Sequence, residues 1–193
     1  KAPHTLFDRL GCLSGSDFGA DGKLYGPPWS GKTIIRIDPD KPVMETVVDG
    51  LTVPAAAKFG PNGLLYVVDA GDGRVLEIDV AARTKRVVAQ LGSGLDNLLP
   101  LDVNRLLVSS LAESSIVSVD VKSGAVTPIV QDRFTAPGGI ALCRVNGQDR
   151  LYVADITTLK SVDPASGAIT EIGRDHASKG ALISSALVAA TGR

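Results

Sequence analysis

Phe59-Gly60-Pro61-Asn62-Gly63-Leu64-Leu65-Tyr66-Val67-Val68-Asp69, followed by Arg74-Val75-Leu76-Glu77-Ile78-Asp79, carries the reading of the whole chain. Gly60–Gly63 is turn chemistry, Leu64–Asp69 a short apolar run of strand length, and Arg74–Asp79 alternates polar with apolar. The pattern recurs. Ile37-Asp38, Ile78-Asp79, Val119-Asp120 and Val162-Asp163 follow one another at 41, 41 and 43 residues. Leu24-Tyr25, Leu65-Tyr66, Leu106-Leu107 and Leu151-Tyr152 step by 41, 41 and 45. Two landmarks in one register establish an internal repeat.

Each unit has the same parts. A turn (Ala20–Lys23, Gly60–Gly63, Asp102–Arg105, Val145–Asp149) precedes a second strand at Leu24–Gly26, Leu64–Asp69, Leu106–Ser110 and Arg150–Asp155. A third strand is predicted at Thr33–Asp38, Arg74–Asp79, Ile116–Asp120 and Leu159–Asp163. The fourth is predicted at Glu45–Val48, Lys85–Ala89, Ala125–Val130 and Ala168–Ile172. No segment keeps a 3.6-residue period over three turns, so the chain is expected to be all-β.

Four short antiparallel strands in each 40-residue unit is the arithmetic of a β-propeller blade. A sandwich also spaces strands closely, but gives no reason for one side-chain pattern to return every 41 residues. The expectation is one domain over residues 1–193, with blades at about 12–51, 53–92, 94–132 and 136–174. Thr5–Leu10 matches Thr46–Leu51 in residue type at every position but Arg9 against Gly50, and Gly180–Ala190 resembles a first strand. Partial-blade strands are therefore expected at 4–10 and 180–193. Either these close an incomplete fifth blade, or the sequence is part of a six-bladed ring. The second is favoured, because a two-strand blade leaves exposed strand edges. A complete 193-residue chain would instead point towards a homo-oligomer.

Composition narrows the function. Twenty Lys and Arg balance 21 Asp and Glu, for a formal net charge of −1, so no broad basic face for nucleic acid is expected. No apolar run approaches the 18 residues of a membrane span. Cys12 and Cys143 make neither a disulfide framework nor a zinc site, and read as small buried apolar residues. Chain start and cysteine usage leave cytoplasm and periplasm or secretion equally open.

Phe18–Gly26, Phe59–Val67, Ala136–Ala141 and Tyr66–Asp79 carry a family resemblance. The pattern resembles the six-bladed propellers of the gluconolactonase, regucalcin and strictosidine-synthase-like superfamily, with NHL-repeat propellers close by. The resemblance implies one divalent cation, calcium or zinc, at the channel mouth and no organic cofactor. It also implies hydrolysis of a small lactone or ester. The ligands would follow directly after the Pro-like position that precedes each inner strand. Here those positions are Ser14, Ala55, Asp96 and Gly138. Asp96 is the one good ligand, with Asn97 as a neighbour and Ser14 as a poor donor; Ala55 and Gly138 offer no side-chain donor. The remaining ligands would come from other blades. The opposing expectation is a non-catalytic propeller that binds a protein, peptide or small ligand on one face.

Asp17 and Trp29 are the candidate ligand-binding residues. Asp17 falls three residues after Ser14, near the axis or a blade interface. Trp29 follows Pro27-Pro28 in a stiffened loop at one propeller face, where an aromatic can wall a pocket, anchor a partner or simply pack a junction. Asp69-Ala70-Gly71-Asp72-Gly73 looks like a calcium loop but lacks the further oxygen ligands and distal Glu. His4 and His176 have no nucleophile motif beside them, so no catalytic dyad is expected.

Overall fold

The computed structural model describes residues 5–8, 10 and 12–174, and the repeat resolves into four antiparallel four-stranded sheets with no helix among them. The first sheet holds β1 (Asp17–Phe18), β2 (Leu24–Gly26), β3 (Ile34–Asp38) and β4 (Val43–Val48). The second holds β5 (Pro54–Phe59), β6 (Leu65–Asp69), β7 (Arg74–Asp79) and β8 (Thr84–Gln90). The third holds β9 (Leu95–Pro100), β10 (Arg105–Ser110), β11 (Ser115–Asp120) and β12 (Val126–Val130). The fourth holds β13 (Pro137–Val145), β14 (Gln148–Asp155), β15 (Thr158–Val162) and β16 (Ile169–Arg174). Strands pair in chain order within every sheet, so each is a meander.

Turn residues explain the tight corners. Gly63 adopts φ 77°, a left-handed conformation that glycine reaches without a Cβ clash. The Asn62 side-chain oxygen there accepts the Leu64 N–H at 3.2 Å. In the fourth sheet the expected turn at Val145–Asp149 is shorter than its sequence implied. Asn146 and Gly147 make it alone, both at positive φ, and Val145 pairs with Gln148. Two consecutive positive φ values match the twist of the flanking strands, so β13 and β14 run on to the turn.

The sheets stack through their faces. Along β6, Leu65 and Val67 pack towards Tyr25, Ile34 and Val48 of the first sheet. Tyr66 and Val68 pack towards Leu95, Leu98 and Val108 of the third. A third cluster joins Leu107 and Ile116 to Leu151, Val153 and Val162. Full burial of each such side chain is worth about 1.5–3 kcal/mol, which a lone blade cannot collect on both faces. The inner strands β1, β5, β9 and β13 pack successively against one another. Between the first two, Gly15 forms a parallel bridge to Ala56 and its carbonyl accepts the Ala57 N–H at 2.8 Å. A Cβ on Gly15 would lie 2.6 Å from the Ala56 Cβ, so this approach requires glycine.

Three expectations change. Thr5–Asp8 forms no strand, because an outer strand needs a third strand of its own blade to pair with and no described segment supplies one. Cys12 is exposed and Cys143 half-buried rather than interior. Cys12 lies before β1, and Cys143 lies on the long β13–β14 hairpin, which packs against β9 and β10 of the third sheet. The segment 180–193, His4 and His176 lie outside the described residues.

Candidate functional site

The N-terminal ends of the inner strands form one face of the fold, together with the connections that lead into them and the loops that follow each second strand. Strand register brings the predicted positions together in pairs. The Gly15–Ala56 bridge sets Ser14 level with Ala55. A Cβ on Gly138 would lie 3.1 Å from Asp96 Oδ2, so β9 and β13 meet at the carboxylate.

Asp96 is half-buried. Burial pushes its carboxyl above the usual range, and no hydrogen bond or ion pair from the described residues offsets that. Its neighbour Asn97 turns inward at 8% exposure, and its side-chain oxygen accepts the Leu98 N–H at 2.9 Å. Ser109 Oγ donates to the Gly138 carbonyl at 2.8 Å and accepts the Asn97 N–H at 3.1 Å. Ser109 therefore locks the wall against which Asp96 rests, a role its sequence position did not signal.

The other candidates are placed differently. Ser14 donates its N–H to the Pro27 carbonyl at 2.9 Å, extending the β1–β2 ladder towards the mouth. Asp17 has both oxygens engaged, Oδ1 by the Phe18 N–H at 2.9 Å and Oδ2 by the Phe59 N–H at 3.0 Å. It staples the first blade to the second. Beside it Lys58 donates to the Ser16 carbonyl at 2.6 Å, and burial lowers its pKa against the pull of Asp17. Trp29 is 73% exposed, and its N–H donates to the Cys12 carbonyl at 2.7 Å at the far end of the same ladder. It packs no junction.

A pair of buried carboxylates holds the mouth in shape. Asp69, fully buried, accepts the Thr52 N–H at 3.0 Å and the Val53 N–H at 2.7 Å, and Arg74 at 2.8 Å. Asp155 does the same with the Thr135 N–H at 2.9 Å, the Ala136 N–H at 2.7 Å and Lys160 at 2.5 Å. Burial alone would raise Asp155; Lys160 and the two backbone donors outweigh it and hold the pKa below the usual carboxylate range. These latches fix the connections just before β5 and β13. Arg74 also pairs with Asp72 at 2.7 Å, so within the calcium-like run a guanidinium occupies the space between the two carboxylates. The signal was in the sequence: an Asp closing the second strand with a cation five residues on, at equivalent positions of two blades. The third blade has Ser110 and Ser115 there instead.

These features complete the geometry against which known proteins can be set. No protein-family model and no curated protein matches the chain. Solved structures do. A virginiamycin B lyase from Staphylococcus aureus superposes with TM-score 0.66 at 19% identity, over 82% of this chain and 54% of the lyase. A chain of the nidogen/laminin complex superposes with TM-score 0.72 at 16% identity, over 84% of this chain and 65% of that one. The fold is a β-propeller. A streptogramin B lyase agrees, with TM-score 0.65 at 15% identity over 82% of this chain. The chain spans about half the length of the lyases it matches. The propeller neighbours thus include enzymes and a binding complex, and at these identities the likeness carries the fold alone.

Proposed function

We propose that the propeller face at the inner-strand N-termini binds a ligand through Asp96. One observation carries this reading. Asp96 is a partly desolvated carboxylate without a partner among the described residues, and two residues into β13 beside it a Cβ on Gly139 would meet nothing within 4 Å, which leaves open space there. A carboxylate in that state gains more from an incoming donor or cation than one already hydrogen-bonded, as Asp17, Asp69 and Asp155 are. Propellers of similar shape include a catalytically inactive virginiamycin B lyase with quinupristin and the nidogen/laminin complex, so occupied propellers are known among its neighbours.

The second reading, cation-assisted hydrolysis of a small lactone or ester, rests on the same free carboxylate. The described residues do not fit a hard divalent cation by themselves, since such an ion takes about six to eight oxygens. Among the described residues no three His, Cys, Asp or Glu side chains converge. Asn97 and Ser14 add nothing firm, the first having its oxygen engaged and the second standing two blades away. Further donors would have to come from blades outside this sequence.

Thermal-shift measurements separate the two. A ligand that binds only the native state raises Tm by mass action. Binding by Asp96 predicts that small amines or guanidines raise Tm and that Asp96→Ala removes the rise. The hydrolase reading predicts the same pattern with calcium or zinc. A response that survives in Asp96→Ala defeats both.

A further inference from the structure

The mouth face carries a second periodic feature. Five residues after the repeated leucines Leu24, Leu65, Leu106 and Leu151, in the loop that leaves the second strand, stand Trp29, Ala70, Leu111 and Ile156. Three of these are large, apolar and open to solvent, at 73%, 39% and 48% exposure, and Val53 on the connection into β5 adds 55%. Every blade therefore presents one exposed large apolar side chain on the same face. Leu111 donates its N–H to the Gly94 carbonyl at 2.9 Å, two residues before Asp96. Ile156 follows Asp155, which pairs with Pro137 at the start of β13, next to the Gly138 that touches Asp96. Scattered surface apolar residues need no explanation, but one per blade at one face is a pattern. Ile156 at φ 50° strengthens it, since a β-branched residue is strained there. The opposite face also exposes Phe18, Val103 and Val145, but ion pairs such as Asp21–Arg36, Asp102–Arg105 and Arg144–Asp149 stand in the same turns.

We infer that this face docks a protein segment that presents an Arg or Lys side chain flanked by apolar residues. The cation seats on Asp96, and its neighbours cover Leu111 and Ile156, while Val53 and then Trp29 extend the apolar surface along the second and first blades. This rests on Asp96 as the ligand contact and adds the class of ligand. Charge complementarity selects the occupant. Asp96 lacks a counter-ion, Glu113 beside Leu111 is exposed and has no ion-pair partner among the described residues, and of the cations on this face Arg74 and Lys160 are committed to Asp69 and Asp155, which leaves Lys32, away on the first blade, without an ion pair among these residues. An acidic segment would add a third uncompensated carboxylate.

Random heptapeptides displayed on phage and panned on the protein test this. Selected sequences are expected to carry Arg or Lys with apolar residues within two positions on both sides. Synthetic copies should shield Trp29, the one tryptophan of the chain, from acrylamide quenching. Asp96→Asn should weaken them about tenfold or more, and Leu111→Ser severalfold. Acidic selected peptides, an unshielded Trp29, or affinities unchanged by both substitutions overturn the inference. If acetyl-arginine amide binds as tightly as the peptides, the apolar ring contributes nothing. The segment is then refuted, while ligand binding at Asp96 stands.

Discussion

Replacing Asp69 with Ala should unfasten the mouth of the second blade before it unfolds anything else. The carboxylate holds the Thr52 and Val53 N–H groups and Arg74 from a fully buried position. Both amides are part-buried, so leaving each without its acceptor costs at most about 1–3 kcal/mol. Arg74 is not stranded by the change, because it is 28% exposed and keeps Asp72 at 2.7 Å. The larger penalty for orphaning a buried charge therefore does not apply. The expected loss is about 2–4 kcal/mol, dominated by the two amides. Asp69→Asn keeps one acceptor oxygen and should lose roughly half as much. Ser110→Ala, the matching change in the third blade, breaks one 3.2 Å bond from the Glu113 N–H and should cost under about 1 kcal/mol. Hydrogen exchange by NMR reads this residue by residue, with Thr52 and Val53 exchanging about thirty- to several-hundred-fold faster in Asp69→Ala. Urea unfolding gives the global figure. Unchanged exchange at both amides would refute the latch, whatever the fall in global stability.

Two further predictions depend on pH and have opposite signs. Asp96 has a raised folded-state pKa, so its ionised form burdens the fold: the stability it allows is complete below its unfolded value near about 4 and is lost as pH rises through the folded one. Asp96→Asn should therefore melt higher than the parent at pH 7, with the gap closing on acidification; a lower Tm at pH 7 would show that Asp96 has a stabilising partner. Asp155 has a depressed folded-state pKa, so its contribution is present above about 4 and lost as pH falls through the lower folded value. Faster exchange at Thr135 and Ala136 below that pH, absent in Asp155→Asn, is the expected signature.

The repeat made the fold legible before any coordinate, because blade packing needs the same apolar alternation each time. Ile78, Val119 and Val162 are buried in three successive blades for one reason. Side-chain partnerships were harder to read. Asp17 and Asp96 both stand near an inner-strand start, and only the register of β5 against the β1 segment, set by the Gly15–Ala56 bridge, shows that the Phe59 N–H engages Asp17. Contacts between blades join residues some 40 positions apart, as Lys58 to Ser16 does, and no local pattern encodes them. Trp29 was ambiguous for a related reason: sequence places it in a stiff loop, whereas its exposure depends on the backbone bond to Cys12.

The exchange of the ionic latch for Ser110 and Ser115 in the third blade follows from the same electrostatics. Register sets Asp69 opposite Pro54, Ser110 opposite Leu95 and Asp155 opposite Pro137. The next residue on the inner strand is Ala55, Asp96 and Gly138 respectively. At these two positions, the end of the second strand and the second residue of the inner strand, each of these blades thus places one carboxylate and none places two. An Asp at position 110 would stand against Asp96 with no Arg at 115 to neutralise it, and like charges drive one carboxyl to protonate. Ser110→Asp should then destabilise the protein by about 1–3 kcal/mol at pH 7, and less at pH 4. Combined with Asp96→Asn, most of that penalty should vanish, because the two sites share one electrostatic conflict. Strictly additive effects in that double-mutant cycle would mean that Ser110 is a matter of packing alone. A coupling of the expected sign would mean that a latch carboxylate at position 110 and a charged Asp96 exclude each other in the third blade.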